Sequence, residues 1–398
     1  MTTRRSTFGF LATLLMFSSG AASADCRSGA VKSATLLFPY FEVDLSSSTG
    51  RTTLIAIGNG LESEPALAHV ILWTDRGIAT LAFDLYLTPN DVQTINLRDI
   101  FLAGALPQSG GPGFDGCSTP ITLPPLGEAE RAVLRNQHTG QPAGESGHCW
   151  SSGAGGALAL GFVTVDSANG CSESVRLPSD SGYFVNGGAG VASNENRLYG
   201  DFFLVDSPED FAQGGEAVHL RADATRFGPD LLPTFYETAT FSRNDNRAPL
   251  PTRHRTRFLN GGLFDGGTDL LLFVPYPGWA SGAPTACELP FGSACHRLRF
   301  RSANEAGVTQ EPYFVTDEQY GGSVTARLSV GPPPIVVGSA FGHLDVDNQE
   351  VLACDTPATD TERLQAFVMP IHSAEGRLSV GLNAVALESA CMPASLPD

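Results

Sequence analysis

The chain has 398 residues, a length that suits two or three domains of about 100–200 residues each. Its 42 acidic and 24 basic residues give a formal net charge of −18. Because such an acidic surface repels phosphate backbones, we do not expect nucleic acid as a partner.

Residues 1–24 have the three parts of a secretory signal peptide. Arg4 and Arg5 form a positive start, an apolar centre follows, and Ala22-Ser23-Ala24 is a small-residue cleavage site. The apolar centre is shorter than the roughly 20 residues that a membrane-spanning helix needs, and no later segment is long and apolar enough. We therefore expect cleavage near Ala24 and a bacterial protein without a membrane span, either secreted, periplasmic or at the cell surface. An amino-terminal anchor, a lipid on Cys26 and twin-arginine export are less favoured.

The number of cysteines is even, and in an exported chain this predicts disulfide bonds. Short sequence separation favours Cys287 with Cys295 and Cys354 with Cys391. The other four would then pair among themselves, and sequence alone does not fix the connectivity: Cys26, Cys117, Cys149 and Cys171. No C-x-x-C motif is present, so zinc-ribbon and thioredoxin-like sites lack support.

Most of the chain reads as short strands. The segments between turns are rich in β-branched and aromatic residues and are bounded by Gly, Pro, Asn and Asp. Residues 68–74, 79–87 and 92–97 are three such segments, and 79–87 alternates with the period of two that a half-buried strand shows. Helical periodicity is scarce: residues 127–135 are the best candidate, and 99–103 suit a single turn.

Two segments differ from this pattern. Residues 98–156 are rich in Gly, Pro and Ser, contain two cysteines and read as an insertion in the first domain. Residues 225–253 have loop composition and form a connector. Its aromatic residues, Phe235, Tyr236 and Phe241, predict that the connector packs along the domains.

The second half of the chain repeats the order of the first. Matched segments are 53–57 with 269–273, 69–73 with 296–300, 92–97 with 324–329, 160–166 with 341–347 and 216–220 with 383–387. This alignment places Asp44 with Asp265 and Gly161 with Gly342. A repeated hydrophobic pattern indicates a repeated structural unit, so we predict an internal duplication.

An isolated sheet would leave an apolar face exposed, and packing two sheets together buries it. We therefore predict an all-β fold of two tandem antiparallel β-sandwich domains, Ig-like or jelly-roll-like, with one short helix in an insertion. The first domain covers residues 25–224 with the insertion at 98–156. The connector covers 225–253 and the second domain 254–398.

No residue is assigned a catalytic, cofactor-binding or metal-binding role, and no cofactor is expected. The oxygen-rich runs 244–246 and 345–350 read as solvated turns, with calcium as the less favoured alternative. The histidines lack metal-site spacing, and residues 179–183 read as a turn and not as the surroundings of a catalytic serine. Glu209-Asp210 is the one carboxylate pair considered for hydrolysis of a polysaccharide.

Aromatic residues suggest a sugar-binding platform, since flat rings stack on apolar sugar faces. Trp73 lies within an apolar strand and is expected in the core, whereas Trp279 lies in the loop 276–279 and is expected to be exposed. Trp150, Tyr276 and Tyr313 are the other aromatic residues that such a platform could use.

We therefore expect an exported, non-catalytic extracellular or cell-surface protein with a binding or structural role. Carbohydrate and another cell-surface protein are the partner classes left open. One alternative is a secreted hydrolase acting on polysaccharide, with carboxylates gathered at the domain junction. The other is a periplasmic envelope-assembly factor, for which an exposed strand edge would matter.

Overall fold

The computed structural model describes residues 31–109, 123–142, 150–171, 176–275, 279, 294–310, 313–316, 324–331, 333, 335–348, 351–353, 365–374, 378–381 and 385–389. The predictions made for residues 1–24 lie outside these ranges. So do those made for further single residues, namely Cys26, Cys117, Cys149, Cys287, Cys354, Cys391 and Tyr276.

The fold is nearly all β: of the residues that the structure describes, 47% lie in strands and 10% in helices, which confirms the predicted all-β sandwich class. We call the strands up to residue 220 the first unit and those from residue 251 the second unit. The strands of the first unit are β1 (Thr35–Asp44), β2 (Thr52–Asn59), β3 (Ala66–Thr74), β4 (Ala79–Leu87), β5 (Val92–Asn96), β6 (Leu158–Ser167), β7 (Leu198–Asp206), β8 (Phe211–Glu216) and β9 (Val218–Leu220).

The second unit contributes the remaining strands. They are β10 (Pro251–Leu259), β11 (Gly267–Phe273), β12 (Ala294–Asn304), β13 (Tyr313–Thr316), β14 (Thr325–Gly331), β15 (Ile335–Val336), β16 (Phe341–Asp347), β17 (Val351–Ala353), β18 (Phe367–Ala374), β19 (Leu378–Gly381) and β20 (Val385–Ser389).

Each unit has two sheets, which we name A and B. The first A sheet has the strand order β4-β3-β6-β1-β9, and the second A sheet has the order β13-β12-β16-β10-β20, with β17 paired to β12. The first B sheet is β5-β2-β7-β8, and the second is β15-β14-β11-β18-β19. Among the strands that the structure describes, every pair is antiparallel except β14 with β15, as expected for sandwich sheets.

A hydrophobic core lies between the A and B sheets of each unit. In the first unit Phe38 of the A sheet meets Phe202 of the B sheet edge to face, with ring centroids 6.3 Å apart. In the second unit Phe258 and Phe300 of the A sheet lie in one buried cluster with Leu270 of the B sheet. Burial of these alternate positions is what gives the strands their period of two.

The insertion carries the predicted helix, α1 (Glu128–Thr139). Gly127 donates its backbone N–H to the Glu130 carboxylate, and Gly140 ends the helix in a left-handed conformation with φ +70°. Residues Asp99–Ala103 form a single helical turn, also as predicted. A second short helix, α2 (Glu237–Thr240), lies in the connector.

The two units share details beyond strand order. Gly161 lies opposite Phe41 and Gly342 lies opposite Phe258, and a Cβ at either glycine would come within 2.8 Å of that ring. The hairpin after β3 and the one after β12 each contain a glycine at positive φ, Gly77 at +74° and Gly307 at +75°. These matches support the predicted duplication, which stays a prediction.

The same pairing corrects two details of the sequence alignment. With Gly161 and Gly342 matched, Phe41 corresponds to Phe258, so the counterpart of Asp44 is Gly261 and not Asp265. His69 lies opposite Asp166, and the matching position in the second unit is Arg299, not His296.

The second B sheet packs against the first unit. Leu271, Met369 and Ile371 belong to the core cluster of the first unit, and Thr325 donates a hydrogen bond of 2.6 Å to the Pro39 carbonyl. Gln213 donates a bond of 3.0 Å to the carbonyl of Pro370. The B sheet of the second unit is therefore covered on both faces.

The connector covers the outer face of the first A sheet. Phe235 and Tyr236 are fully buried there, as the prediction of a packed connector requires, whereas Phe241 is 75% exposed. Cys171 is disulfide-bonded, and the predicted pairings stay predictions. Among the described residues, no helix has both the length and the hydropathy to cross a membrane.

Candidate functional site

The outer face of the first B sheet carries exposed aromatic and aliphatic side chains. Tyr199 and Phe203 of β7 are 39% and 46% exposed, beside Leu54 of β2 and Val92 of β5. Asp201 lies between the two rings on the same strand. We call these five residues the aromatic face. Large apolar side chains grouped on an open surface often mark a binding site.

Glycines on the neighbouring strands make room for both rings. Gly58 lies directly opposite Tyr199, and a Cβ there would come within 2.3 Å of the ring. Gly214 lies directly opposite Phe203, and a Cβ there would come within 2.5 Å of that ring. Each ring therefore lies over a bare stretch of backbone and presents its other side outwards.

Asp201 gives the face a polar group between the rings. Partial burial raises the pKa of its carboxyl group. No hydrogen bond to its side chain is found among the described parts of the chain, so its oxygens are available to a ligand. A carboxylate that accepts hydrogen bonds from hydroxyl groups makes the stronger, charge-assisted kind of bond.

This arrangement suits an extended ligand with alternating apolar faces and hydroxyl groups. Tyr199 and Phe203 are four residues apart on one strand, about 13 Å at roughly 3.3 Å per residue. Two rings at that separation can contact different sugar units of one oligosaccharide. Aromatic side chains supply large contact areas at a small cost in conformational entropy.

The exposed aromatic residues of this face are Tyr199 and Phe203 and not Trp279, which the sequence suggested. Trp279 is only 1% exposed, so the prediction of an exposed Trp279 is wrong. Its ring stacks at 18° on Tyr236 and meets Trp73 at a centroid distance of 5.4 Å. Trp73 is fully buried, as predicted. The period of two along β7 places Tyr199 and Phe203 on the same side of the strand, but the sequence does not show that this side is open.

A concavity of about 240 Å³ lies where the two units meet. The predicted carboxylate pair, Glu209 and Asp210, lines it together with further charged residues, namely Glu42, Arg51, Asp206, Asp269 and Arg327. The carboxylates of the alternative hydrolase hypothesis are thus gathered at the junction, where that hypothesis places them.

We call this concavity the junction cleft. Most of its carboxylates form ion pairs with arginines. Arg51 Nε lies 2.8 Å from Asp206, and Arg327 Nε lies 2.7 Å from Asp269. Arg327 also reaches Glu42, with Nη1 3.2 Å from Oε1. The network joins strands of both units, which favours a structural role for these charges.

The carboxyl groups with raised pKa values do not form a pair in that cleft. Burial raises the pKa of Asp75, whose carboxylate accepts a bond from the Ser152 backbone N–H at 3.1 Å. Burial also raises the pKa of Asp245 to about 6, and this group accepts a bond from the Tyr236 N–H. Both are buried separately from the junction cleft.

Other sequence candidates have structural partners. Asn246 bonds to the Gly187 N–H and the Phe227 carbonyl, which explains the run 244–246 without a cation. Asp180 accepts a bond from the Leu177 N–H, as turn residues do. Among the described residues, no group of three or more potential metal ligands is found.

The buried histidine His69 shows the same structural use of a polar group. Its Nδ1 lies 2.6 Å from Asp84, and its Nε2 lies 2.9 Å from the Arg176 carbonyl. Burial lowers the pKa of His69, and the hydrogen bond with Asp84 and that carboxylate's charge outweigh this, so the net shift is upward.

No family model, no curated protein and no solved structure matches this chain.

Proposed function

We propose that the chain is an exported, non-catalytic carbohydrate-binding protein that binds sugars on the aromatic face of its first unit. The observation that carries this proposal is the pair of exposed rings, Tyr199 and Phe203, each lying over a glycine of the adjacent strand. Export rests on the leader at residues 1–24 and on the eight cysteines.

A polysaccharide hydrolase is the second candidate, favoured only by the position of Glu209 and Asp210 in the junction cleft. Glycoside hydrolysis needs one carboxyl group held protonated near a second one. Since Asp206, Asp269 and Glu42 in that cleft contact arginines, the binding role accounts better for the geometry.

The proposal can be tested on the full chain after leader removal. A glycan array selects a neutral oligosaccharide, and calorimetry then measures its affinity for Tyr199→Ala and Phe203→Ala. We expect each variant to lose about tenfold or more, as truncation of a buried aromatic anchor does. Phe241→Ala removes a still more exposed aromatic ring outside the aromatic face and serves as the control.

Gly214→Ala tests the ring geometry without removing a ring. Its Cβ would displace the Phe203 ring, so affinity should fall while the melting temperature changes little. Unchanged affinity in both ring variants would refute the binding surface. Release of new reducing ends from a polymer, abolished by Glu209→Gln with Asp210→Asn, would support the hydrolase instead.

A further inference from the structure

The outer face of the second A sheet is rich in arginine. Arg253, Arg255 and Arg257 alternate along β10, and Arg299 and Arg301 alternate along β12. Strand β16 runs between them, with Arg257 opposite His343 and Arg255 opposite Asp345. We call the five arginines with His343, Asp345 and Asp347 the arginine face.

Only part of this positive charge is neutralised within the face. Arg255 binds Asp345 through two hydrogen bonds, from Nε at 2.6 Å and from Nη2 at 2.9 Å. Arg253 Nε lies 3.8 Å from Asp347. Arg257 and Arg301 are exposed, and their side chains make no ion pair with any residue in the described part of the chain.

A concavity of about 560 Å³ opens on this face, which distinguishes it from a flat solvated surface. Arg255, Arg257 and Arg301 line it, together with His343. Its lining also includes two neutral hydrogen-bonding residues, Asn304 and Thr309, and two carboxylate residues, Glu305 and Asp345. The site therefore combines guanidinium groups with partners suited to hydroxyl groups.

We propose that the arginine face binds an acidic polysaccharide through the carboxylates of its uronic-acid units. The guanidinium group is a planar fork that pairs two N–H groups with one carboxylate, the geometry that Arg255 already makes with Asp345. Arg257 and Arg301 offer the same fork to a ligand.

Charge complementarity favours a polymer of spaced carboxylates over a nucleic acid. The whole chain carries a formal charge of −18, and Asp345 and Asp347 lie within the face itself. Closely spaced phosphates would meet that repulsion most strongly. This second site shares no residue with the aromatic face, so the two proposals stand or fall separately.

Calorimetry with an oligogalacturonate tests the site on the full chain after leader removal. Replacement of both unpaired arginines, Arg257→Gln with Arg301→Gln, should lower the affinity about tenfold or more, because two charge-assisted bonds are lost. Both side chains are exposed, so folding should be unaffected. Arg221→Gln, at an exposed arginine outside the face, should bind as the unchanged protein does.

A neutral ligand and a charge-preserving variant sharpen the test. The methyl-esterified oligogalacturonate should bind at least about tenfold more weakly, and the Arg257→Lys, Arg301→Lys variant should recover only part of the affinity, because lysine lacks the fork. Equal affinity for the ester, or full affinity in the Gln variant, would overturn the proposal. Tighter binding of single-stranded DNA or of phosphatidylglycerol vesicles, lost in the same variant, would overturn it in favour of those ligands.

Discussion

The two A sheets have the same strand order but opposite chemistry on their outer faces. Leu37 of the first sheet corresponds in register to Arg255 of the second, and Ile71 corresponds to Arg301. Leu37 and Ile71 lie in a buried cluster beneath the connector, whereas Arg255 and Arg301 are exposed. The inward-facing residues of both sheets are mostly apolar, and this shared inward pattern accounts for the shared strand order. The outward-facing residues differ, so the two sheets present different chemistry to a partner.

The B sheets show the reverse. Tyr199 and Phe203 of the first B sheet are exposed. When Thr53 of the first unit is matched to Thr268 of the second, their counterparts are Phe367 and Ile371, which pack against the first unit. In each unit the outer face of one sheet is therefore covered: the connector covers the first A sheet, and the first unit covers the second B sheet. The two proposed binding faces are the two that remain open.

The largest loss of stability should come from replacing a buried aromatic residue of the covered A-sheet face with the small residue that the open A-sheet face has at that position. Trp73 is fully buried, stacks near Phe162 and donates a hydrogen bond of 2.8 Å to Thr164, while the matching position holds Ala303. Trp73→Ala should lower the free energy of unfolding by about 3–5 kcal/mol, measured by urea denaturation. Phe241→Ala should cost less than about 0.5 kcal/mol. A loss below about 1 kcal/mol for Trp73→Ala would show that the covered face is not a core.

Two carboxylates at corresponding positions allow the cost of losing a buried ion pair to be compared with that of losing an exposed one. Asp166 lies 3.8 Å from Arg247, and both side chains are fully buried; Asp347 occupies the same register position and lies 3.8 Å from the part-exposed Arg253. Arg247→Met should cost about 3–5 kcal/mol of stability, because it leaves a buried charge without its cation. Arg253→Met should cost less than about 1 kcal/mol. Equal costs in denaturant titrations would contradict the difference in burial.

The core of the second unit holds an acid-sensitive group at a position where the first unit is apolar. His254 stands where the first unit has Leu36, and burial lowers its pKa to about 4. The unfolded chain takes up this proton near its ordinary pKa of about 6.5, so the stability contributed by neutral His254 is lost as the pH falls from there towards 4, to a total of about 3 kcal/mol. His254→Leu should flatten this loss. Urea titrations across that range check the slope, and an unchanged slope would rule out His254 as the cause.

The strands were predictable because their signals are local. Leu81, Phe83, Leu85 and Leu87 recur with a period of two, and residues 79–87 form β4. The periodicity of residues 127–135 identified α1, which extends to Thr139. Register was not predictable to the residue, because short strands of similar composition match at several offsets. The placement of His69 against His296 failed for this reason.

The binding faces depended on contacts between distant parts of the chain. Trp279 is buried because Trp73 and Tyr236 meet it, and no local pattern around residue 279 reports that contact. The rings of Tyr199 and Phe203 lie flat because of glycines on other strands. A sequence pattern shows which residues share one face of a strand. It does not show what covers that face, because tertiary packing between distant segments determines this.

The smallest predicted effect is the most direct test of the similarity of the two units. In each, a buried threonine hydroxyl joins the A and B sheets through one backbone residue. Thr53 Oγ1 accepts from the N–H of Glu42 at 3.1 Å and donates to its carbonyl at 3.2 Å. Thr268 Oγ1 does the same with Leu259, at 2.7 Å and 3.1 Å.

Thr53→Val and Thr268→Val should each cost about 1–2 kcal/mol, because each leaves a backbone N–H without its acceptor. Thermal and urea unfolding measure both values, with Thr94→Val on the exposed outer face as the control. Costs that agree to within about 0.5 kcal/mol would indicate one structural element present twice. If only one variant is destabilised, the likeness of the units is limited to strand order, and the open faces would have to be compared without assuming that their positions correspond.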